Sequence, residues 1–193
     1  MILEKNLQRR VAGPHDIRMD GMTDLVCRAR GASVFDIGCN RGLVGFEFAN
    51  NGAALVHGCD NYAGGIDTAR QLFCDLRAVQ SKFETVDLTE GVEAVKAAFG
   101  DCKYDIVLCL ATAHKLNRVM PEGKLSELMQ HFGKRAIKYF GWRATSGISD
   151  EQISENRREM KRLDVDMKAA GLDRIHTSMI SESLGLCAIW SRP

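Results

Sequence analysis

From residue 32 to residue 142, short apolar runs alternate with stretches whose apolar residues recur every three or four positions. A parallel sheet requires that order, because each parallel strand must be regained through a helical crossover. Residues 32–38, 53–60, 83–87, 104–110 and 136–142 read as strands. The run 104–110 is the most continuous, as a central strand buried on both faces should be. Val44 and Phe48 mark a helix over 42–50, and Ile66, Ala69, Leu72, Phe73 and Leu76 mark another. A short helix is expected over 92–99, and Pro121 suits the first turn of a helix carrying Leu125, Leu128, Met129 and Phe132. Ser149 with Gln152 has the form of a capping box, and the helix behind it places Ile153, Met160, Leu163 and Met167 on one face. Two extended runs, 174–180 and 186–191, close the chain as a hairpin through residues 181–185. The expected fold is α/β, a doubly wound, mostly parallel sheet in a single domain over 32–193. Residues 1–31 precede it as a helical segment, with a polar start and a Gly13-Pro14 break that suit a lid or substrate contact.

Composition excludes several classes. The 193 residues suffice for one sizeable core. With 26 basic against 25 acidic residues, no global field draws the chain to nucleic acid or an anionic membrane. The seven cysteines are scattered with no CxxC pair, so neither a disulfide framework nor a metal site is expected. The first thirteen residues have charges and no apolar core, unlike a signal peptide, and no run approaches the roughly 20 apolar residues of a membrane span. A cytoplasmic protein is expected.

Open parallel sheets bind ligands at the carboxyl ends of their strands. The first strand ends in Asp36-Ile37-Gly38-Cys39-Asn40-Arg41-Gly42, where Gly38 and Gly42 let backbone pass close to a ligand. The second ends in Asp60-Asn61, with a carboxylate able to accept from two ribose hydroxyls. The third ends in Asp87-Leu88, which suits an adenine edge but reads equally as a helix cap. The fourth ends in Cys109-Leu110. Together these residues suggest an adenosine-containing ligand. The Gly-x-Gly-x-x-Gly spacing of dinucleotide enzymes is not present, so a nicotinamide oxidoreductase is disfavoured.

This set resembles the motifs of the class I S-adenosylmethionine-dependent methyltransferases, over about residues 32–192. The segment Asp36 to Gly42 is similar to the family's first motif, although Asn40 stands where many members have glycine. Asp60 matches its acidic position after the second strand, Asp87 its adenine-side position, and Tyr104–Leu110 its fourth strand. The resemblance implies a Rossmann-like, seven-stranded sheet with an antiparallel C-terminal strand and S-adenosyl-L-methionine as cofactor. It implies that Gly38, Cys39, Asn40 and Gly42 pass beside the cofactor and that Asp36 orients its amino group. Asp60 and Asn61 would hold the ribose, Asp87 and Leu88 would face adenine, and the Cys109 carbonyl would approach the methionine amino group.

Methyl transfer to a hydroxyl or protonated amine needs a base just past the fourth strand. His114, in Leu110-Ala111-Thr112-Ala113-His114-Lys115, is the expected candidate, because imidazole titrates near neutral pH. No Asn-Pro-Pro-Tyr, Asp-Pro-Pro-Tyr or Pro-Cys follows that strand, which argues against the base- and glutamine-methylating types that use them. Substrate contacts are expected from the N-terminal segment, the loop after His114 and a flexible loop over 141–149. Arg41 and Arg9-Arg10 are candidates for an anionic substrate. Arg157, Arg158, Lys161 and Arg162 read as a solvated helix face interleaved with Glu151, Glu155 and Glu159. Trp142 is expected in the core. The expected activity is O- or N-methylation of a small-molecule, sugar or glycan acceptor, the alternatives being an RNA methyltransferase or a non-catalytic cofactor-binding accessory protein.

Overall fold

A computed structural model describes residue 19 and residues 21–145, 149–179 and 186–193. The elements in chain order are α1 (Thr23–Val26), β1 (Ser33–Ile37), α2 (Leu43–Asn50), β2 (Leu55–Asp60), α3 (Ala63–Phe73), β3 (Gln80–Thr85), a 3-10 turn (Leu88–Glu90) and α4 (Val92–Phe99). They continue with β4 (Tyr104–Leu110), α5 (Ala113–Val119), α6 (Glu122–Arg135), β5 (Ala136–Arg143), α7 (Asp150–Ala169), β6 (Asp173–Met179) and β7 (Leu186–Ser191). The strands form one seven-stranded sheet in the order β3-β2-β1-β4-β5-β7-β6. Strands β1 to β5 pair in parallel, and β7 runs antiparallel to both β5 and β6. The order reverses between β1 and β4, which opens a crevice at the carboxyl ends of those two strands.

Side-chain alternation divides the apolar residues between two layers. Phe35, Ile37, Val107 and Cys109 face one core with Phe132, Trp142 and Met167. Val34, Val56, Ile106 and Leu108 face the other with Phe48, Ile66 and Leu25. Met22 and Leu25, from the segment ahead of the sheet, belong to this second core and are buried. The first core is rich in rings: Phe35 stacks on Tyr104 with centroids 4.8 Å apart and meets Phe99 at 5.0 Å.

The structure corrects several sequence expectations. The third strand spans Gln80–Thr85 rather than 83–87; it lies at the sheet edge, where polar residues suffice and the apolar signal fades. The segment after His114 is not a loop but helix α5. The expected loop 141–149 is strand as far as Arg143, and residues 146–148 lie outside the described residues, as do the hairpin link 181–185 and the expected lid 1–13. Ser149 and Gln152 do form a capping box, with the Gln152 N–H donating to Ser149 Oγ at 3.3 Å.

The face that α7 turns inward is more polar than its apolar residues indicate. Asn156, Glu159 and Asp166 are buried beside Leu163 and Met167. Glu159 therefore does not interleave with an exposed basic face; its Oε1 accepts a 2.8 Å hydrogen bond from the buried Trp142 indole. Arg162 is also turned in, donating to Asn117 Oδ1 at 2.9 Å. Burial pushes the Glu159 carboxyl up, partly offset by the indole N–H and by Arg162. Because the folded-state value is raised, the penalty for the charged form grows as pH rises through it. Glu159→Gln keeps an acceptor for the indole and should gain on wild type in urea unfolding as pH is raised. Glu159→Ala strands the indole N–H and should cost about 1–3 kcal/mol at neutral pH.

Candidate active site

The crevice holds a cavity of about 520 Å³ at the carboxyl ends of the strands. Its walls come from the segments that leave β1, β2, β3, β4 and β5, so the parallel topology itself gathers the site. On the β1–β3 side the lining carries three carboxylates, Asp36, Asp60 and Asp87, with Gly38, Asn40 and Asn61. On the β4–β5 side it carries Leu110, Thr112, Leu116 and Val119 with two cations, Lys115 and Arg143.

Asp36 is 2% exposed, and its Oδ2 is buried with no hydrogen-bond partner among the described residues. Desolvation raises its pKa to about 7; the Gly45 backbone N–H opposes this, Asp60 adds to it and Arg143 opposes it through space. A buried carboxylate oxygen without a donor is costly, and a cationic or N–H-bearing ligand in the cavity would supply what the protein does not.

Asp60 is placed by its own turn. Its Oδ2 accepts from the Asn40 N–H and its Oδ1 from the Tyr62 N–H, both at 2.9 Å. The two amides tie the β1–α2 loop to the end of β2 and leave each oxygen a lone pair for a ligand hydroxyl. Asp87 caps the 3-10 turn, its Oδ1 accepting from the Thr89 N–H at 2.9 Å and the Thr89 hydroxyl at 2.7 Å, which lowers its pKa. The cap reading of Asp87-Leu88 therefore holds, and the same residues also line the cavity.

Gly38 (φ +73°) and Asn40 (φ +50°) carry the chain through left-handed conformations as it turns from β1. A Cβ on Gly38 would collide with the Thr112 hydroxyl and approach Thr112 Cγ2 to 2.9 Å. The strand-to-helix turns after β1 and β4 thus touch, with room for hydrogen alone.

No protein-family model matches the chain, and no curated protein matches it. Solved structures do. Magnesium protoporphyrin IX methyltransferase of Synechocystis PCC 6803, solved with bound SAH (S-adenosylhomocysteine), is similar at 19% identity and a TM-score of 0.64, over 89% of this chain and 81% of that one. The N-methyltransferase NodS of Bradyrhizobium japonicum is similar at 12% identity and a TM-score of 0.63, over 94% and 98% of the two chains. A putative Haloferax volcanii methyltransferase, solved in complex with a methyltransferase activator, is similar at 14% identity and a TM-score of 0.65, over 94% and 92%. The fold is that of the class I S-adenosylmethionine-dependent methyltransferases.

Against this methyltransferase fold, the structure sorts the residues singled out by sequence. Asp36, Gly38, Cys39, Asn40, Asp60 and Asn61 line the cavity, as do Asp87 and Leu88. Gly42 and Cys109 do not. Gly42 is left-handed (φ +72°) and a Cβ there would meet Ala69 Cβ at 2.8 Å, so its smallness serves the contact with α3. Cys109 is fully buried in β4, and desolvation pushes its thiol far up, leaving it inert at neutral pH. His114 is half-buried in the first turn of α5 and is not among the lining residues. A helix that turns Thr112, Lys115, Leu116 and Val119 to the cavity carries residue 114 round to another side. Its Nδ1 is buried without a partner among the described residues, and burial, Lys115 and Arg118 lower its pKa.

Arg143 is the charged strand-end residue of the lining that sequence reasoning missed, along with Lys115, Thr112, Leu116 and Val119 on the segment after β4. It ends β5 in register with Leu110 and is 8% exposed, and its carbonyl accepts from the Ala111 N–H at 2.8 Å. The available signal was a cation directly after an apolar strand in a parallel sheet, where strand ends form the site.

Proposed function

We propose that the protein is an S-adenosylmethionine-dependent methyltransferase acting at an oxygen or nitrogen of a small-molecule, sugar or glycan-type acceptor. One observation carries the reading: Asp36, which lines a cavity at the topological switch point, has a buried Oδ2 without a partner among the described residues, and a second carboxylate, Asp60, is pinned in the same lining. These residues fit the cofactor's polar groups. Asp36 would accept from its ammonium, Asp60 and Asn61 from and to its ribose hydroxyls, while Leu88 and Val86 would offer apolar surface to its adenine beside Asp87. When bound, the cofactor supplies a methyl group on a sulfonium. The chain's own contribution is to hold the acceptor in line with that methyl group and to exclude water. His114, the base expected from sequence, lies on the side of α5 away from the lining, so the geometry does not bring it to the acceptor. Turnover of His114→Gln is therefore expected to match wild type, and a large loss of rate would restore the base role.

Calorimetric titration with S-adenosylhomocysteine, with NAD as control, tests the cofactor. Micromolar binding is expected, with no NAD binding. Asp60→Ala removes hydrogen bonds to a charged acceptor, each worth about 1.5–3 kcal/mol, and should weaken binding by roughly a hundredfold. Tight binding without transfer to any acceptor in a screen would favour a non-catalytic accessory role. An absence of binding would remove the methyltransferase reading.

A further inference from the structure

The cavity is divided by charge. All three lining carboxylates, Asp36, Asp60 and Asp87, leave the strands on one side of the switch point. On the other side, β4, α5 and β5 contribute no acidic residue to the lining, and they contribute Lys115 and Arg143. The cofactor reading accounts for the first half and leaves the second half for the acceptor.

Arg143 is unusual for a guanidinium at a strand end, because it is almost fully buried yet lines the cavity. Its backbone is locked on both sides, by β4 through the register with Leu110 and the bond from the Ala111 N–H, and by β7 through the register with Cys187. The fork is thus carried on sheet rather than on a mobile loop. A planar, always-charged fork on a rigid strand suits one compact anion, and desolvation strengthens the attraction. Lys115, exposed on the first turn of α5, adds a second positive charge on the same side of the lining. Apart from Thr112, the rest of that side is apolar: Leu110 and Leu116 are 8% exposed, and Val119 is 68% exposed.

We propose that the acceptor is a small molecule with an apolar body and one carboxylate or phosphate, the anion held by Arg143 and Lys115 and the body laid on Leu110, Leu116 and Val119. This rests on the methyltransferase reading above and narrows its acceptor. Two cations in a cavity of about 520 Å³ match a single anionic group, whereas a nucleic-acid strand needs a track of phosphate contacts.

The test uses the full chain saturated with S-adenosylhomocysteine, titrated with phenyl phosphate, benzoate and the neutral benzamide. At least one anion should bind tenfold or more tightly than benzamide, and comparison of the two anions tells phosphate from carboxylate. Lys115→Met and Arg143→Gln should each weaken the anion about tenfold, the loss of one charge-assisted hydrogen bond. Neither should change the ratio of S-adenosylhomocysteine to methylthioadenosine affinity, since the latter lacks the cofactor's carboxylate. Lys115 is exposed, so its variant remains informative if Arg143→Gln fails to fold. Equal binding of benzamide, or undiminished anion binding by the variants, overturns the proposal. So does a fall in that affinity ratio, which would give the cations to the cofactor's carboxylate, or a preference for an RNA oligonucleotide over phenyl phosphate. A complete absence of S-adenosylhomocysteine binding instead removes the function reading, and this inference with it.

Discussion

Asp36→Asn is expected to gain stability over the wild-type protein as pH rises and, at the same time, to lose most of its affinity for S-adenosylhomocysteine. The folded-state pKa of Asp36 is raised from 3.8 to about 7, chiefly by desolvation. With the folded value above the unfolded one, the native state binds the proton more tightly, so stability is greatest below the unfolded value and falls as pH rises toward 7. A shift of that size corresponds to roughly 4 kcal/mol between about pH 4 and pH 8. The asparagine variant lacks the titration, so the difference between the two urea-unfolding free energies should grow by roughly that amount across the same window. A difference that stays flat with pH would mean that Asp36 ionises freely in the fold. Ligand affinity should move the other way. An ammonium beside Asp36 needs the carboxylate charged, so wild-type affinity should fall about tenfold per unit below pH 7. The asparagine side chain is neutral throughout, and the variant should lose that dependence. A carboxyl that weakens the fold at neutral pH and lines a cavity, with one oxygen unpartnered among the described residues, is poised for a ligand.

Gly38→Val should be the most damaging single substitution at the site. Two costs add. The backbone at φ +73° disfavours any Cβ by about 1–2 kcal/mol, and the collision with Thr112 adds about 1–3 kcal/mol of overpacking. The variant should unfold at lower urea, and what folds should bind S-adenosylhomocysteine at least a hundredfold more weakly, because the displaced turn carries Cys39 and Asn40 with it. A double-mutant cycle separates the causes. Gly38→Ala combined with Thr112→Gly relieves the collision and leaves the backbone strain, so the pair should recover part of the loss. Full additivity would show that the two turns do not touch.

The parts of this fold that were legible in sequence are those with local causes. The run Tyr104–Leu110 is bounded by polar and small residues, and its strand begins and ends where the apolar run does. The Ser149–Gln152 capping box depends only on four consecutive residues, and it forms. Strand β3 begins three residues and ends two residues before the span 83–87 expected from sequence, because an edge strand needs little apolar surface. Helix α5 was missed because seven residues with His, Lys, Asn and Arg among them carry almost no periodic signal. That omission also decided the reading of His114: in a loop it could face the cavity, but in a helix Thr112, Lys115, Leu116 and Val119 take that face.

What sequence alone determined was the order of elements and the identity of the residues at their carboxyl ends. Periodicity, turn glycines and the requirement for crossovers are local or topological, and they bring Asp36, Asp60 and Asp87 to one edge without reference to packing. Tertiary structure decided which of those residues are desolvated and what meets them across the crevice. The raised pKa of Asp36, the indole on Glu159, the Thr112 hydroxyl over Gly38 and the placement of Arg143 opposite the carboxylates all involve residues remote in the chain. Burial and Coulomb interactions depend on distance in space, which the order of residues along the chain does not encode until the sheet has closed.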